Sequence, residues 1–374
     1  MSSKSPRIAI VADWLTNMAG AERVVLAMHE AFPDAPIYTS VYEPSKMPLF
    51  KDCDVRTTWL QRFPRPLRNL HKFFPTLRVK AFRDLDLSEF DIILSSSSAE
   101  AKQVRKTRDD QVHICYCHTP IRYYWSHYDE YRENPGFGRL NFLVRLAMPL
   151  FVPKAKKADH EAAQDVDVFI ANSSEVQKRI KKYYGKSSTI IYPPVDFERY
   201  AEASQPHANR IGYAALGRQV PYKRIDLAVA ACTEMNLPLT VLGNGSEHDR
   251  LVEMAGPTIT FETDADDHRV ARVLGNSKGF IFPAVEDFGI VQVEALAAGT
   301  PVIGFGQGGT LDIVKPGESG ILFRKQNVVS LMSALEEAEK ITFKPSSLQR
   351  VAKRFHKTLF ISKIQKIVGD HIKS

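Results

Sequence analysis

Two glutamates that lie eight residues apart carry the clearest chemical signal in this sequence. Glu286 follows the strand-like apolar run 279–283, and Glu294 opens a helical run, with Phe-Gly-Ile between the two carboxylates. A strand end places Glu286 at the carboxyl edge of a parallel sheet, where open α/β folds bind ligands. The backbone N–H groups of the helix that follows Gly289 are suited to an anion such as a diphosphate. The pattern indicates a ligand that carries both hydroxyl groups and phosphate, as a nucleotide sugar does.

A basic loop at 217–226 provides a second candidate for phosphate binding. Arg218 and Lys223 lie in this loop, between a predicted strand and a predicted helix. Arginine offers a planar fork for phosphate oxygens and lysine adds a point charge, so together they would balance the charge of a diphosphate. A solvated loop with ordinary surface charges is the alternative. The presence of Glu286 and Glu294 in the same half of the chain favours the functional interpretation.

The segment 116–125 follows another predicted strand and contains His118 and Arg122. His118 could donate a hydrogen bond to a sugar hydroxyl or stabilise developing charge. A structural histidine at a strand end is the alternative. A role as general base requires a partner that the sequence does not identify.

Two glycine-containing turns also follow predicted strands. Gly20, in the turn 18–22, would let the backbone approach a phosphate at a helix start, although a simple turn explains it equally well. This turn lacks the G-x-G-x-x-G pattern, which makes a nicotinamide-dependent dehydrogenase the weakest hypothesis. The second turn, 304–309, either lines a ligand site or only makes a tight bend.

Segment 62–83 combines basic and aromatic residues and contains no acidic residue. Its basic members are Arg62, Arg65, Arg68, Lys72, Arg78, Lys80 and Arg83, and its phenylalanines are Phe63, Phe73, Phe74 and Phe82. Such a segment can lie at an anionic membrane surface, and Lys102 with its basic neighbours would add to the field. A basic surface over core phenylalanines is the alternative. Nucleic acid is not expected, because no recognised binding motif accompanies the segment.

The chain has 374 residues, a net charge of +7 and a sequence pI near 9.1. This charge fits anionic substrates, lipid headgroups or nucleic acid and does not choose between them. The four cysteines complete no zinc site, so we expect free thiols in a reducing cytosol and no metal. No apolar run is long enough to span a membrane. We therefore expect a cytoplasmic protein with peripheral contact at the inner face of the membrane.

Strands alternate with helices in two series, which predicts an α/β protein of two doubly wound, Rossmann-like domains that face a central cleft. We expect an acceptor-side domain at 1–195, a nucleotide-sugar domain at 208–347, and a C-terminal helix within 348–374 that packs across both. Strands are predicted at 7–12, 91–94, 112–116, 166–171, 211–216, 239–242, 258–261, 280–283 and 301–305. Helices are predicted at 21–31, 224–233, 268–274 and 348–372.

These motifs together resemble glycosyltransferase family 4 of the retaining GT-B enzymes, and the resemblance covers nearly the whole chain. The phrases Cys-His-Thr-Pro-Ile-Arg-Tyr at 117–123 and Gly-Arg-Gln-Val-Pro-Tyr-Lys-Arg at 217–224 look most like bacterial O-antigen and exopolysaccharide mannosyltransferases. The resemblance implies the GT-B fold and transfer of a sugar from a nucleotide-sugar donor, with GDP-mannose favoured. It also implies a glycan or lipid-linked acceptor and no cofactor.

The resemblance also assigns roles to individual residues. It implies a catalytic set, which is His118, Arg218, Lys223 and Glu286. It implies a donor-binding set, which is Gly20, Arg218, Lys223, Glu286, Phe288, Gly289, Ile290 and Glu294. In that set the glutamates hold the sugar and ribose hydroxyls, and the basic residues grip the diphosphate. Residues expected on the acceptor or membrane side are Arg65, Arg68, Lys72, Lys102 and Arg122.

Three alternatives stay open at this point. The donor could be a UDP-sugar, the chain could be a GT-B sugar-nucleotide isomerase, or it could be a non-catalytic sugar-nucleotide-binding scaffold. Retention through a covalent intermediate needs a carboxylate on the far face of the sugar. No residue presents itself for that role, so a front-face displacement is favoured.

Overall fold

The computed structural model describes residues 6–69, 74–126, 128–133 and 141–372. The chain divides into two compact units. The N-terminal unit comprises Met1–Pro193 and Phe360–Ser374, and the C-terminal unit comprises Pro194–Leu359. Each unit contains one parallel sheet with helices, as the alternating pattern predicted.

The N-terminal unit holds seven strands, numbered in chain order. They are β1 Ile8–Ala12, β2 Ile37–Thr39, β3 Val55–Thr57, β4 Ile92–Ser97, β5 Val112–Cys117, β6 Val168–Ala171 and β7 Ser188–Ile190. Its helices are α1 Gly20–Ala31, α2 Arg65–Asn69, α3 Pro75–Arg83, α4 Tyr128–Glu133, α5 Asn141–Gln164 and α6 Ser174–Tyr184. The strand order is β3-β2-β1-β4-β5-β6-β7. All residues of β1 are buried, because helices cover both faces of a doubly wound sheet.

The C-terminal unit holds six strands. They are β8 Tyr213–Leu216, β9 Leu239–Leu242, β10 Ile259–Glu262, β11 Gly279–Phe282, β12 Val302–Phe305 and β13 Gly320–Phe323. Its helices are α7 Phe197–Glu202, α8 Ile225–Glu234, α9 His248–Glu253, α10 Asp267–Asn276, α11 Ile290–Ala297, α12 Thr310–Ile313, α13 Val328–Glu339 and α14 Pro345–Ala352. The strand order is β10-β9-β8-β11-β12-β13.

The expected single helix at 348–372 is wrong. Helix α14 ends at Ala352, the 3-10 turn Lys353–Phe355 follows, and a second helix, α15, spans Lys357–Ile372. His356 separates the two helices because its backbone is extended, with φ −63° and ψ 141°. Helix α14 packs against α11 in the C-terminal unit. Helix α15 places three apolar side chains in the core of the N-terminal unit, namely Phe360, Ile364 and Val368.

Among the described residues, no helix is long and apolar enough to cross a membrane.

Candidate functional site

The C-terminal sheet reverses its winding between two neighbouring strands. From β8 the chain winds through β9 to β10 on one side, and from β11 through β12 to β13 on the other. The loops that leave β8 and β11 therefore lie side by side at the carboxyl edge of the sheet. Open α/β sheets bind ligands in the crevice at such a switch point.

The two loops bring Lys223 and Glu286 into contact. The β8 loop carries Lys223 in the 3-10 turn Pro221–Lys223, and the β11 loop carries Glu286. The Lys223 ammonium donates a hydrogen bond to Glu286 Oε1, although the residues lie 63 positions apart in sequence. Their side chains are 15% and 18% exposed. Because the pair is accessible, an incoming anion can compete for the ammonium while a hydroxyl donor competes for the carboxylate.

The amino end of α11 adjoins Glu286. Gly289 takes the left-handed conformation with φ +83°, and a Cβ there would lie 2.4 Å from Gln292 Nε2. The first turn of α11 contains no acidic residue that would occupy its positive end. The helix start is therefore suited to bind an anion with its backbone N–H groups. Glu294 lies in the second turn of the same helix and is buried.

A glycine turn supports this loop from the side. The Gly309 N–H donates to the Glu286 carbonyl at 2.9 Å. A Cβ at Gly308 would lie 2.4 Å from that carbonyl oxygen, and one at Gly309 would lie 2.3 Å from Phe288 Cα. The turn at 304–309 is thus a close-packed bend that fixes the Glu286 backbone. The helix that follows it has only four residues, which is too short for a dinucleotide site of the usual kind.

Arg218 and Gln219 occupy the β8 loop with opposite exposures. The exposed Arg218 guanidinium donates to the Tyr222 hydroxyl at 3.3 Å. The Gln219 side chain is buried; it donates to the Gly243 carbonyl at 2.6 Å and bonds the His248 ring at 2.7 Å. Gln219 therefore anchors the loop that presents Arg218 and Lys223. Sequence reasoning missed it because its partners come from the loop after a different strand.

The N-terminal sheet has its own switch point, between β1 and β4. Asp13 follows β1 and is buried there. Its carboxylate accepts hydrogen bonds from the Ser98 N–H, the Ser98 hydroxyl, the Ala99 N–H and the Ala101 N–H, at 2.7 to 3.0 Å. The acceptor capacity of Asp13 is thus used within the protein. No sequence pattern singled out this residue.

His118 follows β5 and is half-buried. Its ring Nε2 shares a hydrogen bond with the Ser96 hydroxyl at 2.8 Å, and its backbone N–H donates to the Ser97 carbonyl at 2.9 Å. Its ring stands edge-on to Tyr116 with centroids 5.2 Å apart. These contacts hold the imidazole in one orientation.

Gly20 begins α1 after β1, as the turn predicted.

The expectation that Lys102 belongs to a basic surface is wrong. Its ammonium is buried and pairs with Asp159 at 2.5 Å. Burial opposes the charge on Lys102, but the Asp159 carboxylate outweighs this effect and raises the pKa of the lysine. A lysine fixed in this way cannot contact lipid or acceptor.

Some residues of segment 62–83 are buried in the protein, and others are exposed. The Arg78 guanidinium is buried against Glu100, with contacts of 2.7 and 2.9 Å, and Phe82 lies in the core. Arg65 and Arg68 approach Glu43 at 3.7 and 3.4 Å. Lys72 and Phe73 lie outside the described residues. Only part of segment 62–83 can therefore face a partner. Arg122 is half-buried.

Two sequence families match this chain. Residues 18–199 match the family described as Glycosyltransferase Family 4, and residues 196–355 match Glycosyl transferases group 1. The D-inositol 3-phosphate glycosyltransferase of Rhodococcus erythropolis is 29% identical over 214 residues, which cover 49% of this chain and 48% of that protein. Glycogen synthase of Mycobacterium tuberculosis is 25% identical over 205 residues, covering 51% and 49%. The chain spans about half the length of these curated relatives.

Solved structures of similar fold cover nearly the whole chain. Anabaena HepE, solved with UDP and glucose, aligns with a TM-score of 0.68 at 16% identity, over 97% of this chain and 99% of that one. Sucrose-phosphate synthase of Thermosynechococcus elongatus aligns with a TM-score of 0.72 at 16% identity, over 98% and 99%. Likeness at this identity establishes the fold. The two family matches, which together span 18–355, place the chain among the family 4-like, group 1 glycosyltransferases, and the likeness to solved structures shows the GT-B fold.

Proposed function

We propose that this protein is a retaining glycosyltransferase that takes its sugar from a nucleotide-diphosphate donor bound at the C-terminal switch point. The observation that carries the proposal is the Lys223–Glu286 pair beside the start of α11. A donor would exchange this pair for two better-matched contacts. Lys223 would move to the diphosphate and Glu286 would accept hydrogen bonds from sugar hydroxyls.

The remaining donor contacts follow from the same loops. Arg218 adds a second cation for the diphosphate, and the N–H groups around Gly289 bind its oxygens. Glu294 binds the ribose hydroxyls. No metal is required in this scheme, because two cations and a helix end supply the positive charge.

The reaction is a front-face displacement. The bond between the anomeric carbon and the diphosphate oxygen breaks, and the acceptor oxygen bonds to the same face of the sugar. The acceptor proton passes to the leaving diphosphate. Lys223 and Arg218 stabilise the charge that develops on this group, which is the largest contribution that the protein makes. His118, oriented by Ser96, donates a hydrogen bond to a sugar hydroxyl.

Two donors compete for this site. The phrases at 117–123 and 217–224 favour GDP-mannose and a glycan or lipid-linked acceptor at the cytoplasmic face of the membrane. The similar fold of HepE, which is solved with UDP-glucose, favours a UDP-sugar. An isomerase would use the same donor contacts without an acceptor.

Calorimetric titration of the purified chain with GDP-mannose, UDP-glucose, GDP and UDP tests the proposal. We expect micromolar to millimolar binding of one nucleotide series, lost in Lys223→Met. Lys278→Met is the matched control, because Lys278 pairs with Glu339 at 3.2 Å before β11, at the opposite edge of the sheet. Binding that survives Lys223→Met, or no binding of any nucleotide, would overturn the proposal. Conversion of donor alone into an isomeric sugar nucleotide would identify an isomerase instead.

A further inference from the structure

Two buried carboxylates in the N-terminal unit each pair with a buried cation. Glu100 pairs with Arg78 at 2.7 Å, and Asp159 pairs with Lys102 at 2.5 Å. All four side chains are at most 2% exposed. Glu100 and Lys102 lie two positions apart in the loop that follows β4. Two such pairs beside one loop are costly, because each charged group loses its hydration.

Stability alone does not account for these ion pairs. A buried ion pair can often be replaced by apolar side chains of similar volume without loss of stability. Apolar side chains, however, cannot accept hydrogen bonds from other groups. The further hydrogen bonds that the two carboxylates accept therefore indicate what the buried charges do.

Each carboxylate also accepts a hydrogen bond from an aromatic side chain of one short segment. The Tyr123 hydroxyl donates to Glu100 Oε1 at 2.7 Å, and the Trp125 indole N–H donates to Asp159 Oδ2 at 2.7 Å. Both rings belong to the segment 118–125, which follows β5. The loop after β4 and helix α5 thus hold this segment through two directional, charge-assisted hydrogen bonds.

The other end of the segment is bound to the end of β4. The backbone N–H of His118 donates to the Ser97 carbonyl, and its ring bonds the Ser96 hydroxyl. Ser97 is the last residue of β4, and Glu100 lies three positions further along the chain. His118 and Tyr123 are therefore both attached to this strand end and the loop that leaves it. A shift of Tyr123 away from Glu100 would move the imidazole as well.

The position of His118 matters for the reaction that we propose, in which its imidazole donates a hydrogen bond to a sugar hydroxyl. Displacement of such a group by about 1 Å can lower a rate about a hundredfold. A functional side chain keeps its geometry when hydrogen bonds from a rigid surrounding lock the groups that carry it. Two buried carboxylates, each fixed by its own cation, provide such a surrounding.

We propose that Tyr123 and Trp125 are positioning residues, which act through the carboxylates of Glu100 and Asp159 to fix the orientation of His118 for sugar transfer. The inference rests on the proposed function, since it assigns the cost of two buried ion pairs to the placement of a group that contacts the sugar.

Removal of a single hydroxyl tests the proposal with little change in packing. Tyr123→Phe deletes the bond to Glu100 and leaves both contacts between Glu100 and Arg78 in place. Tyr184→Phe is the matched control, because the Tyr184 hydroxyl donates to Asp159 at 2.8 Å from helix α6, outside the segment. Each variant loses one hydrogen bond to a buried carboxylate, so we expect similar melting temperatures.

Release of nucleoside diphosphate from GDP-mannose and from UDP-glucose measures turnover, with water as the acceptor. We expect kcat of Tyr123→Phe to fall about tenfold, because His118 is displaced. Its KM for the donor should stay within about threefold of the wild type, because most of the donor contacts that we propose lie in the C-terminal unit. Tyr184→Phe should keep both values within about twofold. A purely structural role would lower kcat equally in the two variants.

Hydrogen–deuterium exchange of the same proteins gives a reading that needs no turnover, so it decides the question even if water is a poor acceptor. We expect faster exchange of peptides that cover 118–125 in Tyr123→Phe and wild-type exchange there in Tyr184→Phe. Peptides that cover the buried strand Ile8–Ala12 should exchange alike in all three proteins.

Three results would overturn the proposal. They are wild-type exchange at 118–125 in Tyr123→Phe, a wild-type kcat in that variant, or an equal loss of kcat in Tyr123→Phe and Tyr184→Phe. Failure of the proposed function gives a different result, because the wild type would then neither bind nucleotide nor release nucleoside diphosphate. Faster exchange in Tyr123→Phe would in that case leave the two carboxylates as supports of the segment, without a role in sugar transfer.

Discussion

The two switch points of this molecule have the same topology and opposite uses of charge. At the N-terminal one, the Asp13 carboxylate is buried and accepts four hydrogen bonds from the loop that follows β4. At the C-terminal one, the Glu286 carboxylate is partly exposed and pairs with Lys223. The first carboxylate is saturated by the protein, whereas the function that we propose has the second exchange its partner for a ligand.

The difference shows that a carboxylate at a strand end is not by itself a binding site. What matters is whether the protein has already supplied its hydrogen-bond donors. Fold topology therefore predicts two crevices, and from the hydrogen bonding in each we propose that the C-terminal one binds the donor.

The largest expected effect concerns Asp13. Replacement by alanine leaves the Ser98, Ala99 and Ala101 N–H groups without their acceptor in a buried position. We expect the free energy of unfolding to fall by about 3–5 kcal/mol, because unsatisfied buried polar groups are costly. Urea unfolding measures this loss, and nucleotide titration of the folded protein should be unchanged. A loss below about 1 kcal/mol would show that the two switch points do not differ in this way.

The next effect concerns the C-terminal switch point. There we expect substitutions to lower the rate of sugar transfer and to leave stability almost unchanged. Lys223→Met and Glu286→Gln should lower the rate of sugar transfer about tenfold to a thousandfold. Their unfolding free energy should change by about 1 kcal/mol or less, because the pair is partly exposed. Transfer assays and urea unfolding of each variant, with Lys278→Met as control, give both quantities. A rate near that of the wild type would remove these residues from the site.

A smaller loss of stability is expected at acid pH, and it arises from a histidine in the N-terminal sheet. His113 on β5 is buried, and burial lowers its pKa to about 4. The unfolded chain takes up the proton near pH 6.5 and the folded chain resists it, so stability falls as the pH drops from 6.5 towards 4. Between pH 7 and pH 5 this should cost about 2 kcal/mol.

The variant His113→Gln provides the control for this prediction. It keeps a polar group within reach of the Ser95 hydroxyl, which bonds His113 Nε2 at 2.8 Å, and has no ionisable ring. Urea unfolding at both pH values should show a smaller loss in the variant. An equal loss in the two proteins would assign the acid sensitivity to other groups.

The apolar strands, and the strand, loop and helix that carry Glu286 and Glu294, were predictable because their signals are local. Strands such as Ile8–Ala12 and Val302–Phe305 are continuous apolar runs, and the confirmed fold class follows from their alternation with helices. The short strand Ile37–Thr39 was missed because it has only three residues. Helix α5 was missed because Pro149 and Pro153 lie inside it, and proline normally ends a helix.

The burial of charged residues could not be predicted, because it depends on distant partners. Lys102 is neutralised by Asp159, and Arg78 by Glu100, across long sequence separations. In the sequence these cations are indistinguishable from surface charges. The contact between Lys223 and Glu286 was anticipated only as a shared site, and their direct ion pair required the structure.

Hydrogen–deuterium exchange with and without nucleoside diphosphate tests the central claim most directly, because it reads both switch points in one sample. We predict that GDP or UDP slows exchange in peptides that cover 217–224 and 286–294, and leaves 98–103 unchanged. The protection should disappear in Lys223→Met. Protection at 98–103 without protection at 217–224 and 286–294 would contradict the account, because it would place the ligand at the switch point that Asp13 closes.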